Sequence, residues 1–172
     1  LTLASYISFL VLFRYYYRRY QALFGNAFSQ GSTVQNEQGG YIGFQLTPIA
    51  RWKLSVYADL FRFPWLKYGI DAPSGGQEYM AQIDYTPSRN YSTYLRYKYR
   101  QKEKNGTYEN DNLLRINSYK QHRIRFQQVY NFSSPFIFKT SLDGILFDDP
   151  IKKLNKGIMI SQSIGWKPTT LP

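Results

Sequence analysis

The stretch YSTYLRYKYRQK, Tyr91 to Lys102, keeps a strict two-residue period along its whole length. Tyr91, Thr93, Leu95, Tyr97 and Tyr99 fall on one side of an extended chain, and Ser92, Tyr94, Arg96, Lys98, Arg100 and Lys102 fall on the other, because successive side chains of a strand point to opposite faces. One face is aromatic and apolar; the other is strongly cationic. A strand this long, with aromatics rather than branched aliphatics toward its ends, suits a membrane-spanning barrel better than a small soluble sheet.

The flanking segments repeat the pattern. Upstream, Tyr79, Ala81, Ile83 and Tyr85 alternate with Glu78, Met80, Gln82 and Asp84, and TPSRN at 86–90 reads as a tight turn. Pairing Tyr85 with Tyr91 would set Ile83 against Thr93, Ala81 against Leu95, Tyr79 against Tyr97 and, on the opposite face, Glu78 against Lys98. Downstream, EKNGTYENDNLLRINS at 103–118 is polar, contains an Asn-Gly turn signal and reads as a long loop. From Tyr119 to Phe132 alternation resumes, with Ile124, Phe126, Tyr130 and Phe132 on one face and Arg123, Arg125, Gln127 and Asn131 on the other. A turn at 133–135 leads to Phe136, Phe138, Thr140, Leu142 and Leu146; pairing Phe132 with Phe136 sets Phe126 opposite Leu142 and Arg125 opposite Asp143. After a shorter loop at 148–156, Ile158, Ile160, Ile164 and Trp166 share a face, and KPTTLP closes the chain with two prolines.

The N-terminal half follows the same rule. Leu1, Leu3, Ile7, Phe9, Val11 and Phe13 share a parity that predicts a strand over 1–13, although Leu10 and Leu12 break the alternation and leave a buried helix open. The period is lost over 14–40, a Gly-rich segment that reads as a long loop in which Tyr20 to Phe28 has room for a short helix. Ile42, Phe44 and Leu46 then precede a turn at 47–51, after which Trp52, Leu54, Val56, Ala58 and Leu60 alternate with Lys53, Ser55, Tyr57 and Asp59; Leu46 is expected opposite Trp52, Phe44 opposite Leu54 and Ile42 opposite Val56. Residues 61–76 carry two Pro and three Gly and form a second long loop. Eight strands joined alternately by long loops and tight turns are the pattern of outer-membrane barrels, long loops outside and short turns on the periplasmic side.

Composition agrees. The chain of 172 residues holds 22 Lys plus Arg against 11 Asp plus Glu, a formal net charge of +11, and aromatics make up 19% of it. Disordered chains are poor in aromatics. No run of about 18 apolar residues supports a membrane-spanning helix. The chain opens on LTLASYISFL, without an initiator Met or a basic-then-apolar leader, so it is expected to be a segment of a larger protein. Zero Cys removes disulfides, thiolate metal sites and a Cys nucleophile together.

A soluble sandwich or lipocalin-like barrel also alternates, with its apolar face inward. Two features favour the membrane. The polar faces gather Lys53, Arg96, Lys98, Arg100, Lys102, Arg123 and Arg125, answered by Glu78, Asp84 and Asp143, as candidate lumen-lining charges. Tyr41, Trp52, Tyr85, Tyr91, Phe132, Phe136 and Trp166 sit near strand ends, like an interfacial aromatic girdle. Direct nucleic-acid binding is disfavoured, because a single-strand reader needs aromatics and cations on one face, and here most Tyr lie opposite the Arg and Lys. Catalysis has little support. His122 is the single His and reads as a solvated rim residue; Asp148 and Asp149 read as a loop start; no metal or cofactor is expected.

The segments NAFSQGSTVQNEQG (26–39), YADLFRFPWLKYGIDAPSGG (57–76) and YLRYKYRQKEKN (94–105) resemble the C-terminal barrel of envelope proteins of Gram-negative bacteria that carry a helix-hairpin-helix domain of the competence DNA-receptor type. The resemblance covers 19–105, about half the chain. It implies a bacterial outer-membrane location and a link to DNA handling through the helical domain; no helix-hairpin-helix segment falls within these residues, so no DNA-binding position is carried over. The expectation is an all-β, antiparallel transmembrane barrel, with about eight strands of a larger barrel in this segment. Its basic lumen would serve a passive channel. The alternatives are a non-conducting structural or assembly subunit that meets other envelope proteins through its long loops, and a soluble basic β-barrel that binds nucleic acid. No enzymatic activity is expected.

Overall fold

The computed structural model describes residues 2–4, 6–21, 27–108, 111–132, 136–150 and 154–166. They form one antiparallel sheet in which every strand bonds to its sequence neighbours: β1 (Thr2–Ala4), β2 (Ile7–Tyr16), β3 (Glu37–Leu46), β4 (Trp52–Phe63), β5 (Ser74–Ser88), β6 (Tyr91–Tyr108), β7 (Asp111–Asn131), β8 (Phe136–Asp148) and β9 (Asn155–Trp166). Eight strands are long and β1 has three residues. The sheet is open: β1 and β9 are its edges and do not meet. The described residues include no helix.

The first expected strand is two. Thr2 and Ala4 turn back to face Ser8 and Ile7, and β2 runs on to Tyr16 instead of stopping at Phe13. β2 is a strand and not a buried helix because it finds a matched partner in β3, with Phe9 opposite Phe44 and Val11 opposite Ile42. Of the segment proposed for a short helix, Tyr20, Gln21, Ala27 and Phe28 are not helical, and 22–26 lie outside the described residues.

Three hairpin registers test the parity reading. The β7–β8 pairing is as expected, with Tyr130 opposite Phe138, Phe126 opposite Leu142 and Arg125 opposite Asp143; the 133–135 turn itself lies outside the described residues. The other two slip by two residues. Leu46 faces Leu54 rather than Trp52, because the turn is wider: Arg51 takes φ 79° and the Trp52 N–H bonds the Ile49 carbonyl at 3.1 Å. Tyr85 faces Thr93 rather than Tyr91, since β5 continues to Ser88 through a bulge and the turn narrows to Arg89 and Asn90. A slip of two leaves every side chain on its expected face.

The loops are shorter than the sequence indicates. They span 17–36, 64–73 and 149–154, in place of 14–40, 61–76 and 148–156. The third expected loop, 103–118, is largely strand: β6 has 18 residues and β7 has 21, and they pair from Tyr91 opposite Tyr130 to Tyr108 opposite Asp111. Because β5 follows β6 only as far as Lys102, Glu103 to Tyr108 and their partners extend beyond the neighbouring strand as a two-stranded ribbon.

Burial is inverted relative to a soluble fold. Among the described residues the buried hydrophobics are Phe61, Phe63 and Ile70, whereas Arg14, Glu37, Asp59, Glu78, Asp143 and Asp149 are buried and charged. The apolar face is open: Phe13 is 84%, Ile158 81% and Ile160 72% exposed. The small apolar cluster sits at the long-loop end of the polar face, where the Phe61 and Phe63 rings meet edge to face at 5.8 Å.

Gly76 makes room for that cluster. A Cβ there would lie 2.5 Å from the Phe61 ring and 2.5 Å from the Gln101 carbonyl oxygen, while a Cβ at Gly144 would meet nothing within 4 Å. Gly76→Val is therefore expected to destabilise by about 1–3 kcal/mol and Gly144→Ala to stay within about 0.5 kcal/mol of wild type. Urea unfolding midpoints check both, and equal midpoints would show that Gly76 is not needed for close approach.

Candidate functional site

All ten charged residues expected to share a lumen do share one face. In the observed register Lys53 lies opposite Asp84, Glu78 opposite Arg100, Arg96 opposite Gln82 and Arg125 opposite Asp143. Cations concentrate on the two central strands β6 and β7, and each flanking strand supplies a carboxylate. Arg100 meets Glu78 directly, Nε to Oε2 at 2.5 Å, and Lys98 reaches the same carboxylate diagonally at 2.8 Å. Arg125 meets Asp143 directly at 2.7 Å, and Arg123 reaches it diagonally at 3.3 Å. Each carboxylate thus serves two cations. Tyr57 adds a hydroxyl donated to Glu78 Oε1 at 2.6 Å. The Arg96 Nε donates to the neutral Gln82 Oε1 at 2.6 Å, and its guanidinium lies over the Tyr94 ring. Lys53 and Asp84 are farther apart, at 3.8 Å, and partly solvated.

A second cluster was not legible in the sequence. Arg14, with 1% of its side chain exposed, donates Nε to Glu37 at 2.5 Å and Nη1 to Asp59 at 2.7 Å. To reach Asp59 it crosses over Gly39, its direct partner on β3; a Cβ on Gly39 would stand 2.6 Å from the guanidinium carbon. Residues 29–31 of the 17–36 loop fold onto the same carboxylates. Ser29 Oγ donates to Glu37 Oε2 at 2.6 Å, the amides of Gln30 and Gly31 donate to Glu37 at 2.9–3.1 Å, and Gln30 Nε2 donates to Asp59 at 2.8 Å. Lys102 Nζ donates to the Gln30 carbonyl at 2.8 Å. The loop therefore lies across the polar face, held from β2, β3, β4 and β6. The 64–73 loop joins it: Asn36 donates to the Trp65 carbonyl and accepts from its amide. In that loop Lys67 stacks over Phe63 at 3.4 Å. Burial pushes its pKa below the ordinary lysine value, against the opposing pull of Glu37 and Glu103.

The aromatics divide. Trp52 and Tyr85 stack at 4.4 Å, Tyr91 and Tyr130 lie 6.3 Å apart, Phe132 packs edge-on against Tyr130 and Phe138, and Phe136 faces Trp166. All lie on the apolar face at the short-turn end of the sheet. Tyr41 does not belong with them: it sits on the polar face between Leu12 and Asp59, with its ring against Phe28 and Tyr57 at 5.3 and 5.2 Å. One residue of strand parity separates it from Ile42. His122 is also on the apolar face, its Nδ1 2.8 Å from the Tyr97 hydroxyl. Asp149 is buried and accepts from Lys104 Nζ at 2.6 Å, so its charge is met from within the protein. Among the described residues no three carboxylate or imidazole groups converge as a metal site.

No protein-family profile, curated protein or solved structure matches this chain.

The two kinds of ion pair differ in what their loss costs. Arg14→Gln leaves the buried Glu37 and Asp59 carboxylates without their cation and is expected to destabilise by about 3–5 kcal/mol, whereas Asp84→Asn removes a partly solvated pair and is expected to cost less than about 1 kcal/mol. Urea unfolding of both variants checks this; equal midpoint shifts would show that the Arg14 cluster does not anchor the loop.

Proposed function

We propose that this sheet is part of a transmembrane β-barrel of the bacterial outer membrane, with its apolar face in lipid and its polar face lining a basic, water-filled lumen that passes small anions. The observation that carries this reading is the inverted burial. A soluble sheet hides its apolar face, and this one leaves it open while burying charge. Lipid is the solvent in which such a face is stable, and outer-membrane strands alternate apolar-out and polar-in. Strands of 10–21 residues for β2 to β9 meet or exceed the roughly 9–11 needed to cross the hydrocarbon. The aromatics at the short-turn end match an interfacial belt.

An open edge is not tolerated in hydrocarbon, so the reading requires further strands between β9 and β1, from more of the same polypeptide or from another copy. The central strands carry Arg96, Lys98, Arg100, Lys102, Arg123 and Arg125, while the carboxylates that reach them are Glu78 and Asp143. That excess lowers the barrier for anions and raises it for cations.

A second reading, a non-conducting envelope scaffold, is favoured by the loop around Gln30, which lies across the polar face and narrows it. Conductance separates the two. In planar bilayers the protein is expected to form channels with a reversal potential favouring anions, and Arg96→Glu with Arg125→Glu is expected to shift that potential toward cations. An unchanged reversal potential overturns the anion-channel reading, absence of conductance favours the scaffold, and a protein that stays folded and monomeric without detergent overturns the barrel itself.

A further inference from the structure

Two consecutive cross-strand pairs at the centre of the polar face set like charges directly opposite each other. Arg96 faces Arg125, and Lys98 faces Arg123. Directly opposed side chains on neighbouring strands have Cβ atoms about 4.5–5.5 Å apart, and like charges there are destabilising. The sheet has neutral residues at hand for such positions, as Thr93 opposite Gln128 shows on the other face, yet it stacks cation on cation twice in succession. The flanking carboxylates relieve only part of the repulsion. Glu78 is shared by Lys98 and Arg100, Asp143 by Arg123 and Arg125, and Arg96 has a neutral amide in place of a carboxylate. Five cations against two carboxylates leave an excess of three positive charges. Lys98, Arg100, Gln121 and Arg123 also line a recess of about 80 Å³.

We propose that Arg96, Lys98, Arg100, Arg123 and Arg125 form a binding site for a small multivalent phosphate-bearing anion. An excess of three charges is not neutralised by one chloride or one monocarboxylate, and it is by a diphosphate. Guanidinium groups meet phosphate oxygens with two parallel hydrogen bonds, and a lysine adds a point charge. Successive same-face residues of a strand are about 6.5 Å apart, so the Arg96–Lys98–Arg100 row offers contacts along an extended anion. The bound anion supplies the countercharge that the fold omits. This deepens the channel reading and rests on it, since the polar face must be open to water for the anion to arrive.

The test uses the full-length protein in detergent, titrated calorimetrically with inorganic pyrophosphate. Saturable binding is expected, with affinity falling as salt rises and falling at least tenfold in Arg96→Gln/Arg125→Gln, while Lys139→Gln, toward the short-turn end of the same face and outside the ten lumen charges, leaves it unchanged. Because Arg96 opposes Arg125 and has a neutral amide rather than a carboxylate as its partner, the single variant Arg96→Gln is also expected to unfold at a higher urea concentration than wild type when no anion is present; a purely structural role for this arginine would lower the midpoint instead. No saturable binding in a protein that conducts anions overturns the site and leaves the channel reading standing. Pyrophosphate binding in a protein that does not conduct supports the site and overturns the channel reading. Citrate binding as tightly as pyrophosphate overturns the assignment to phosphate.

Discussion

The buried charges of the described residues are met across strands, on one face of one sheet, and the rest of the structure depends on that arrangement. A buried ion is stable only when its partners are close and its remaining hydrogen-bonding positions are filled. Arg14 meets that condition through Glu37 and Asp59, and Glu37 meets it through Arg14, Ser29 and two loop amides. The geometry requires β2, β3 and β4 to lie side by side in register, since Arg14 and Asp59 sit on strands that are not neighbours. It also requires a residue without a side chain between them, the place that Gly39 fills. The same interactions draw the Gln30 segment over the polar face. Strand order, loop position and the shape of the candidate lumen are thus one consequence of where the carboxylates fall.

Much of this was legible because a strand has a period of two. Once Tyr91 to Lys102 is read as extended, Arg96, Lys98, Arg100 and Lys102 must share a face, and alternation in the neighbours carries the assignment to Glu78, Asp84, Arg123, Arg125 and Asp143. The register errors did no damage, since two hairpins slipped by two residues and parity survives an even slip. What set the slips, a bulge between Tyr85 and Ser88 and a left-handed Arg51, are backbone events at positions that carry no glycine to announce them.

The misreadings have a common origin in composition. Residues 103–118 look like a loop because they are polar and contain Asn-Gly, but they pair as a two-stranded ribbon that extends past the neighbouring strands, and polar composition does not exclude such pairing. Gly106 sits inside the paired run, opposite Arg115. Arg14 and Glu37 were assigned to a loop for the same reason, although Arg14 continues the parity of Leu10 and Leu12. Those two leucines had broken the apolar alternation of β2, and their place on the polar face beside Tyr41 and Gly43 is what Arg14 extends. The contact between Arg14 and Asp59 spans 45 residues, and no local pattern encodes it. The shared carboxylates were partly visible, because Arg125 with Asp143 follows from one hairpin register and Glu78 with Lys98 from another, although the two-residue slip makes the latter contact diagonal and sets Arg100 opposite Glu78; the diagonal reach of Arg123 comes from side-chain length and appears only in three dimensions.

The two clusters answer the same electrostatic problem in opposite ways. Around Arg14, one cation meets two carboxylates, the loop adds donors, and the side chains leave water altogether. On β6 and β7, cations outnumber carboxylates and keep much of their exposure, with 46% of the Arg123 side chain and 31% of the Arg125 side chain open. A fold selected only for stability would distribute carboxylates evenly, since moving one acidic residue beside Arg96 relieves repulsion without touching the backbone. The uneven division places rigidity at the long-loop end of the sheet and uncompensated charge at its middle. In the channel proposed above, the loop would set the width of the passage and the cationic band the sign of charge it admits.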